Sequence, residues 1–266
     1  MGGIEVAVGG SLIGAAVLYG ISAAVARFRT RRLRRFWSGY EKAFAIMVTE
    51  YELDASADAV DLGDAAVAST ATSRAFLSYG MAMALTHLVA YFRQVARFSP
   101  EVIGDKMHHA QRRDRSLIVL GSPANNVYLQ TFIEQFGSEF PMLAQFKWTT
   151  TAAGVTLTLP SGEILKPKID EHQCGVDYAL VAHMPLDPSV GSRLTIISGC
   201  NMWATDAAAR FLTTARQIKL LPDVACDPHH AVAFVLQALI THEHPDQVRM
   251  LDIGSQPVLA LAADAP

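Results

Sequence analysis

The sequence predicts an α/β domain, a sheet with flanking helices and an inserted antiparallel meander, preceded by one N-terminal transmembrane helix. Three stretches carry that expectation. Residues 4–26 are apolar apart from Glu5 at their outer end. Residues 117–120 form a short apolar run that stops at Gly121, Ser122 and Pro123, and an apolar pattern at helical spacing follows two asparagines. Residues 196–198 run likewise into Gly199, Cys200 and Asn201 ahead of an alanine-rich segment. A short apolar run ended by turn residues reads as a strand buried on both faces.

The first element decides location. The run from Ile4 to Ala26 exceeds the roughly 20 apolar residues that a spanning helix needs. Six arginines follow within residues 27–35. Basic residues beside a spanning helix stay on the cytoplasmic face. The expected arrangement is therefore a single-pass anchor with its basic cytoplasmic flank over residues 1–35 and a cytoplasmic α/β domain over residues 36–266. The partner of the anchor is the lipid bilayer. A cleaved signal peptide is one rival, since Ala24-Val25-Ala26 resembles a cleavage site, but its positive charge would precede the apolar core. A buried core helix is the other, opposed by the all-round apolar character and the adjacent arginines. Gly10, Gly14, Ala16 and Gly20 keep small-xxx-small spacing, which suits either a homodimer seam or ordinary spanning-helix composition.

Composition limits the rest. The chain has 266 residues, 51% of them hydrophobic, and a mean hydropathy of +0.23, which agrees with a membrane segment. A net charge of −3 gives no general reason to expect nucleic acid. Three cysteines, Cys174, Cys200 and Cys226, with no CxxC, argue against a disulfide scaffold and a cysteine zinc site.

Residues 36–42 extend a helix out of the membrane, with Trp37 and Tyr40 expected at the interface. Residues 44–53 read as a strand. Residues 54–72 are acidic and alanine-rich, with too little large apolar surface to offset chain entropy, and read as a loop. Residues 73–98 form a long helix with Thr72 or Ser73 as its cap; His87 beside its apolar stripe reads as a core residue. Residues 101–104 suggest a short strand. His108, His109, Arg112, Arg113 and Arg115 read as a solvated connection, or more sharply as an anion-binding rim.

Residues 146–151, 154–159 and 163–169 alternate and are joined by turns, which is the meander. Strands follow over residues 177–184 and 193–198, then a helix over residues 203–220. A second helix is expected over residues 228–241, then strands over 247–253 and 258–261 around a turn at Gly254 and Ser255. His229-His230 and His242-Glu243-His244 flank that second helix, too far apart along it to share a metal, so no metal site is expected.

The two strand–glycine–helix junctions share one physical logic. Glycine permits a sharp turn and close ligand approach, and a helix N-terminus offers unpaired N–H groups to an anion. Were the two strands parallel neighbours, both loops would open at one edge of the sheet. Gly121, Ser122, Asn125, Asn126, Ser198, Gly199, Cys200 and Asn201 are therefore the candidate ligand-binding residues. Equally, glycine with asparagine is ordinary turn and cap chemistry. Neither loop is a Walker A or GxGxxG motif. Cys200 is the best-placed thiol, and Glu134 and Glu139 are the carboxylates near the first junction, but no catalytic residue or cofactor is identified.

Residues 117–126 and 177–209 resemble the core of Rossmann-like domains that sit behind membrane anchors in bacterial proteins of undefined activity. They are distantly similar to nucleotide-sensing, TIR-like folds of bacterial signalling. The resemblance implies a Rossmann-like sheet and a nucleotide-like ligand; the meander departs from it, and no active-site residue carries over. The expected function is a membrane-anchored cytoplasmic domain binding a small anionic, nucleotide-like ligand as sensor or scaffold. The alternatives are a hydrolase or transferase acting on a nucleotide or nucleoside, and a tethered protein-interaction module without ligand.

Overall fold

The computed structural model describes residues 30–41, 44–48, 51–52, 75–76, 78–104, 115–122, 129, 133–134, 137–151, 154–172, 174–241 and 244–257. The expected anchor, its small-residue spacing, the 54–72 loop, Thr72 and Ser73, His108 to Arg113, Asn125, Asn126 and the 258–261 strand lie outside them. Among the described residues no helix is long and apolar enough to cross a membrane.

The chain enters through a short helix, α1 (residues 30–36). Leu33, Phe36, Trp37 and Tyr40 are all buried in the main core. This corrects the placement of Trp37 and Tyr40 at a membrane interface: their rings pack on Phe92 and Phe44, and Trp37 Nε1 donates to the Leu212 carbonyl at 2.9 Å. Each such side chain contributes about 1.5–3 kcal/mol on burial. Part of the arginine run therefore belongs to the domain. Arg31, Arg34 and Arg35 lie on the outer side of α1, whereas Arg32 donates to the Leu221 carbonyl and pairs with Asp223 at 3.2 Å.

Next come β1 (Phe44–Val48), β2 (Tyr51–Glu52), β3 (Ala75–Phe76) and α2 (Tyr79–Tyr91). The expected long helix starts later than its sequence pattern suggests, because Ser78 caps it, accepting from the Met81 N–H at 3.3 Å. It closes in a π-helical turn, Phe92–Ala96. Then follow β4 (Glu101–Gly104), β5 (Ser116–Leu120), α3 (Pro141–Ala144), β6 (Lys147–Thr151), β7 (Gly154–Thr158), β8 (Ile164–Leu165) and β9 (Lys168–Ile169). The chain continues through β10 (Gly175–Asp187), β11 (Ser192–Gly199), α4 (Met202–Thr213), β12 (His230–Thr241) and β13 (His244–Pro257).

The central sheet has eight strands in the order β13-β12-β10-β11-β5-β1-β4, with β9 paired to β10. Strands β11, β5, β1 and β4 are parallel, and β10, β12 and β13 extend the sheet as antiparallel hairpins. The fold is thus mixed α/β. Strands β6, β7 and β8 form the separate antiparallel meander expected from the sequence. One face of the large sheet packs on α1, α2 and α4. The other face packs on Leu129, Ile133, residues 140–146 and the meander, with Leu129, Phe140, Leu143 and Leu157 buried there.

Two expectations fail at the C-terminal end. Residues 228–241 are not a helix: His230–Thr241 form the strand β12, paired on both sides. Residues 231–236 are buried on both faces between the two layers, so no alternation marks them as a strand. Gly254 and Ser255 are likewise not a turn; they pair with Ala233 and Val232 within β13.

Candidate functional site

Strands β5 and β11 are parallel neighbours, with Leu117 opposite Leu194 and Leu120 opposite Ile197. Their carboxyl ends lie side by side, and the Gly121 N–H donates to the Ile197 carbonyl at 3.2 Å. Gly121 turns away with φ of 137°, which favours glycine. Gly199 has another reason for its identity: an added Cβ would collide with the Asn201 carbonyl and Thr205 Oγ1. The start of α4 therefore folds tightly back over the end of β11.

These two ends line one cleft of about 170 Å³. Gly121 and Ser122 form one wall; Gly199, Cys200, Asn201, Met202 and Thr205 form the other. Ser78 and Met81 from the start of α2, and Val155 from β7, complete it. Gly80 lets α2 approach, since a Cβ there would meet the Met202 carbonyl. Of the candidate residues, Gly121, Ser122, Gly199, Cys200 and Asn201 come together at the cleft. Ser198 does not line it; it is buried inside β11, and its Oγ has no hydrogen-bond partner among the described residues.

Two amide hydrogens in the first turn of α4, those of Met202 and Ala204, are already engaged. Asn201 caps the helix with its own side chain, which accepts from the Met202 N–H at 2.8 Å. Beneath it lies Asp177 on β10, fully buried. Its Oδ2 accepts from the Ala204 N–H at 2.8 Å, and its Oδ1 from the N–H groups of Tyr178 (2.8 Å) and Asn201 (3.2 Å). Burial pushes this carboxyl up to about 7, against the three backbone donors that favour its charged form. The chain thus supplies its own carboxyl group where an anionic ligand was expected to find free donors.

Cys200 is corrected in the same way. Burial, with Asp177 close by, pushes its thiol well above the ordinary range, so the helix dipole does not make it a ready nucleophile. Among the described residues it is the only cysteine, histidine or acidic residue in the cleft wall. Arg115 is no rim to this site: it adjoins the opposite end of β5 and pairs with Glu101 at 2.6 Å. His87 is half-buried and lies 3.3 Å from Asp206 on α4.

Among the described residues no three His, Cys, Asp or Glu side chains are grouped to hold a metal. His229 and His230 lead into a strand, and His230 Nδ1 lies 3.2 Å from Asp227.

A second polar cluster was not anticipated. Tyr40 Oη lies 2.7 Å from Thr195 Oγ1, which lies 2.7 Å from His183 Nδ1. The imidazole stacks on Phe36, 4.3 Å between centroids, and hydrogen-bonds to that residue's backbone. Burial, aided by the Arg193 charge, lowers His183 well below its ordinary value. A neutral ring accepting at Nδ1 and donating from Nε2 satisfies the cluster. The sequence signal for His183 was a lone polar residue inside an apolar run, and for Asp177 a carboxylate at the head of one. Arg193, between Ser192 and Leu194 at the start of its strand, carried no such signal. No family model, curated protein or solved structure matches this chain.

Proposed function

We propose that this chain is a membrane-tethered ligand-binding domain, acting as sensor or scaffold, that takes a small nucleotide-like ligand at the carboxyl edge of β5 and β11. The observation that carries this reading is the shared cleft: two glycine-bearing loops from parallel neighbours face one space. We read the parallel half of the sheet as Rossmann-like. Its order β4-β1-β5-β11 reverses between β1 and β5, and doubly wound sheets bind ligands outside the carboxyl ends near such a reversal.

The hydrogen-bonding side chains in the cleft wall are neutral: Ser78, Ser122, Asn201 and Thr205. At about 170 Å³ the cleft admits one end of a nucleoside rather than the whole, and these groups suit its hydroxyl or amide edge. A phosphate on the same ligand would lie away from α4, whose first turn is occupied by Asp177 and Asn201. Binding without reaction is favoured over hydrolase or transferase chemistry, because no acid–base pair among the described residues lines the cleft.

Calorimetry of the full chain in lipid nanodiscs, against adenosine, guanosine and their mono-, di- and triphosphates, tests the reading. Saturable binding is expected for at least one compound, and it should be lost in Ser122→Trp, which fills the cleft from a half-buried position. Absence of binding across that panel would count against it.

A further inference from the structure

We infer that a pocket at the opposite edge of the sheet, where β11 begins, is a second ligand site that holds a small oxyanion, a carboxylate or a phosphate, on Arg193. The pocket measures about 330 Å³, within the range of small-molecule sites. Pro185, Pro188 and Pro228 give it stiff apolar walls, with Ser38, Ser192, Arg193 and His229 as polar residues.

Arg193 is the informative member. It is 4% exposed, its stem packed beneath Gly39. Nη2 donates to the His230 carbonyl at 3.4 Å. Nε is buried and has no hydrogen-bond partner among the described residues, and none of their carboxylates forms an ion pair with this guanidinium. Asp227 acts on it electrostatically, but that carboxylate accepts from the His229 N–H at 2.9 Å and lies 3.2 Å from His230 Nδ1.

A buried guanidinium keeps its charge, and leaving it unpaired is costly. Arg193 lines the pocket, and its planar fork suits carboxylate or phosphate oxygens. A small rotation of the side chain would turn the enclosed Nε toward an oxyanion seated there and give it the missing acceptor. The pocket and the cleft lie at opposite ends of the eight-residue strand β11, roughly 20–25 Å apart. Either site can therefore fail without the other.

The test uses the full chain in nanodiscs, probed separately with butyrate and inorganic phosphate, with chloride at matched ionic strength as the control. The expected result with at least one oxyanion is a downfield move and slower solvent exchange of the Arg193 Nε–H resonance, with a melting temperature raised by several degrees. Arg193→Lys, which keeps the charge but loses the fork, should bind at least tenfold more weakly. Arg193→Met should lose the response. Which probe acts distinguishes a carboxylate ligand from a phosphate one. An Nε–H resonance unmoved by both probes at millimolar concentrations would overturn the inference. So would an equal rise in melting temperature in Arg193→Lys and the parent chain. Should Arg193→Met not fold, the parent resonance and the lysine variant still decide.

Discussion

Asp177 in the strand β10 and Ala204 in the first turn of α4 are joined by a 2.8 Å hydrogen bond from backbone N–H to carboxyl oxygen. That bond ties the helix beside the cleft to the middle of the sheet. It also takes one of the donors that a helix start would otherwise offer to an anion. Replacing Asp177 with alanine leaves the buried Ala204 N–H and the part-buried N–H groups of Tyr178 and Asn201 without this acceptor, and is expected to cost about 2–4 kcal/mol. Urea unfolding of the variant against the parent chain checks this.

Two buried groups should give stability a pH dependence of opposite sign. Asp177 is raised from 3.8 to about 7 in the folded state, so the native chain binds more protons than the unfolded chain in that window. Its contribution is therefore fully present below about 4 and is lost as pH rises through about 7. His183 is lowered well below 6.5, so the unfolded chain binds more protons there, and its contribution is lost as pH falls below about 6.5. Denaturation midpoints from pH 4 to 8 should show the acid-side loss more steeply in Asp177→Asn than in the parent chain. An unchanged profile in Asp177→Asn would place the titration elsewhere.

The hydroxyl of Thr195 links Tyr40 to His183 in a region without water access. Valine has nearly the same shape but cannot bridge them. Thr195→Val should cost about 1–3 kcal/mol, because Nδ1 of the imidazole loses its donor. Thermal unfolding reads this directly, and Thr195→Ser should recover most of the loss.

Burial raises the thiols of both Cys200 and Cys226, whereas Cys174 is half-exposed. Mass spectrometry after brief iodoacetamide treatment at pH 8 should find Cys174 modified first. Cys200 and Cys226 should react only after denaturant is added. Rapid native labelling of Cys200 would restore it as a candidate nucleophile.

Where the sequence pattern matched a one-sided environment, it was legible. The meander alternates because one face of β6 and β7 meets solvent, and both strand–glycine junctions could be found from their turn residues. β12 was illegible for the converse reason: layers on both faces leave a continuous apolar run, which at twelve residues suits a helix equally well. Trp37 and Tyr40 misled because an amphipathic aromatic suits a membrane interface and a domain core alike. The cleft was found from its glycines, but its floor was not. Nothing in local spacing tells that Asp177, 27 residues before Ala204, will cap that helix.

The cleft is tested most directly by amide chemical-shift mapping of the full chain in nanodiscs, titrated with the nucleosides and nucleotides named above. Saturating shifts centred on Gly121, Ser122, Gly199, Asn201 and Met202 are predicted for at least one of them. Shifts confined to other surfaces, or none across the whole set, would contradict a ligand site between β5 and β11 and leave an interaction module as the better account.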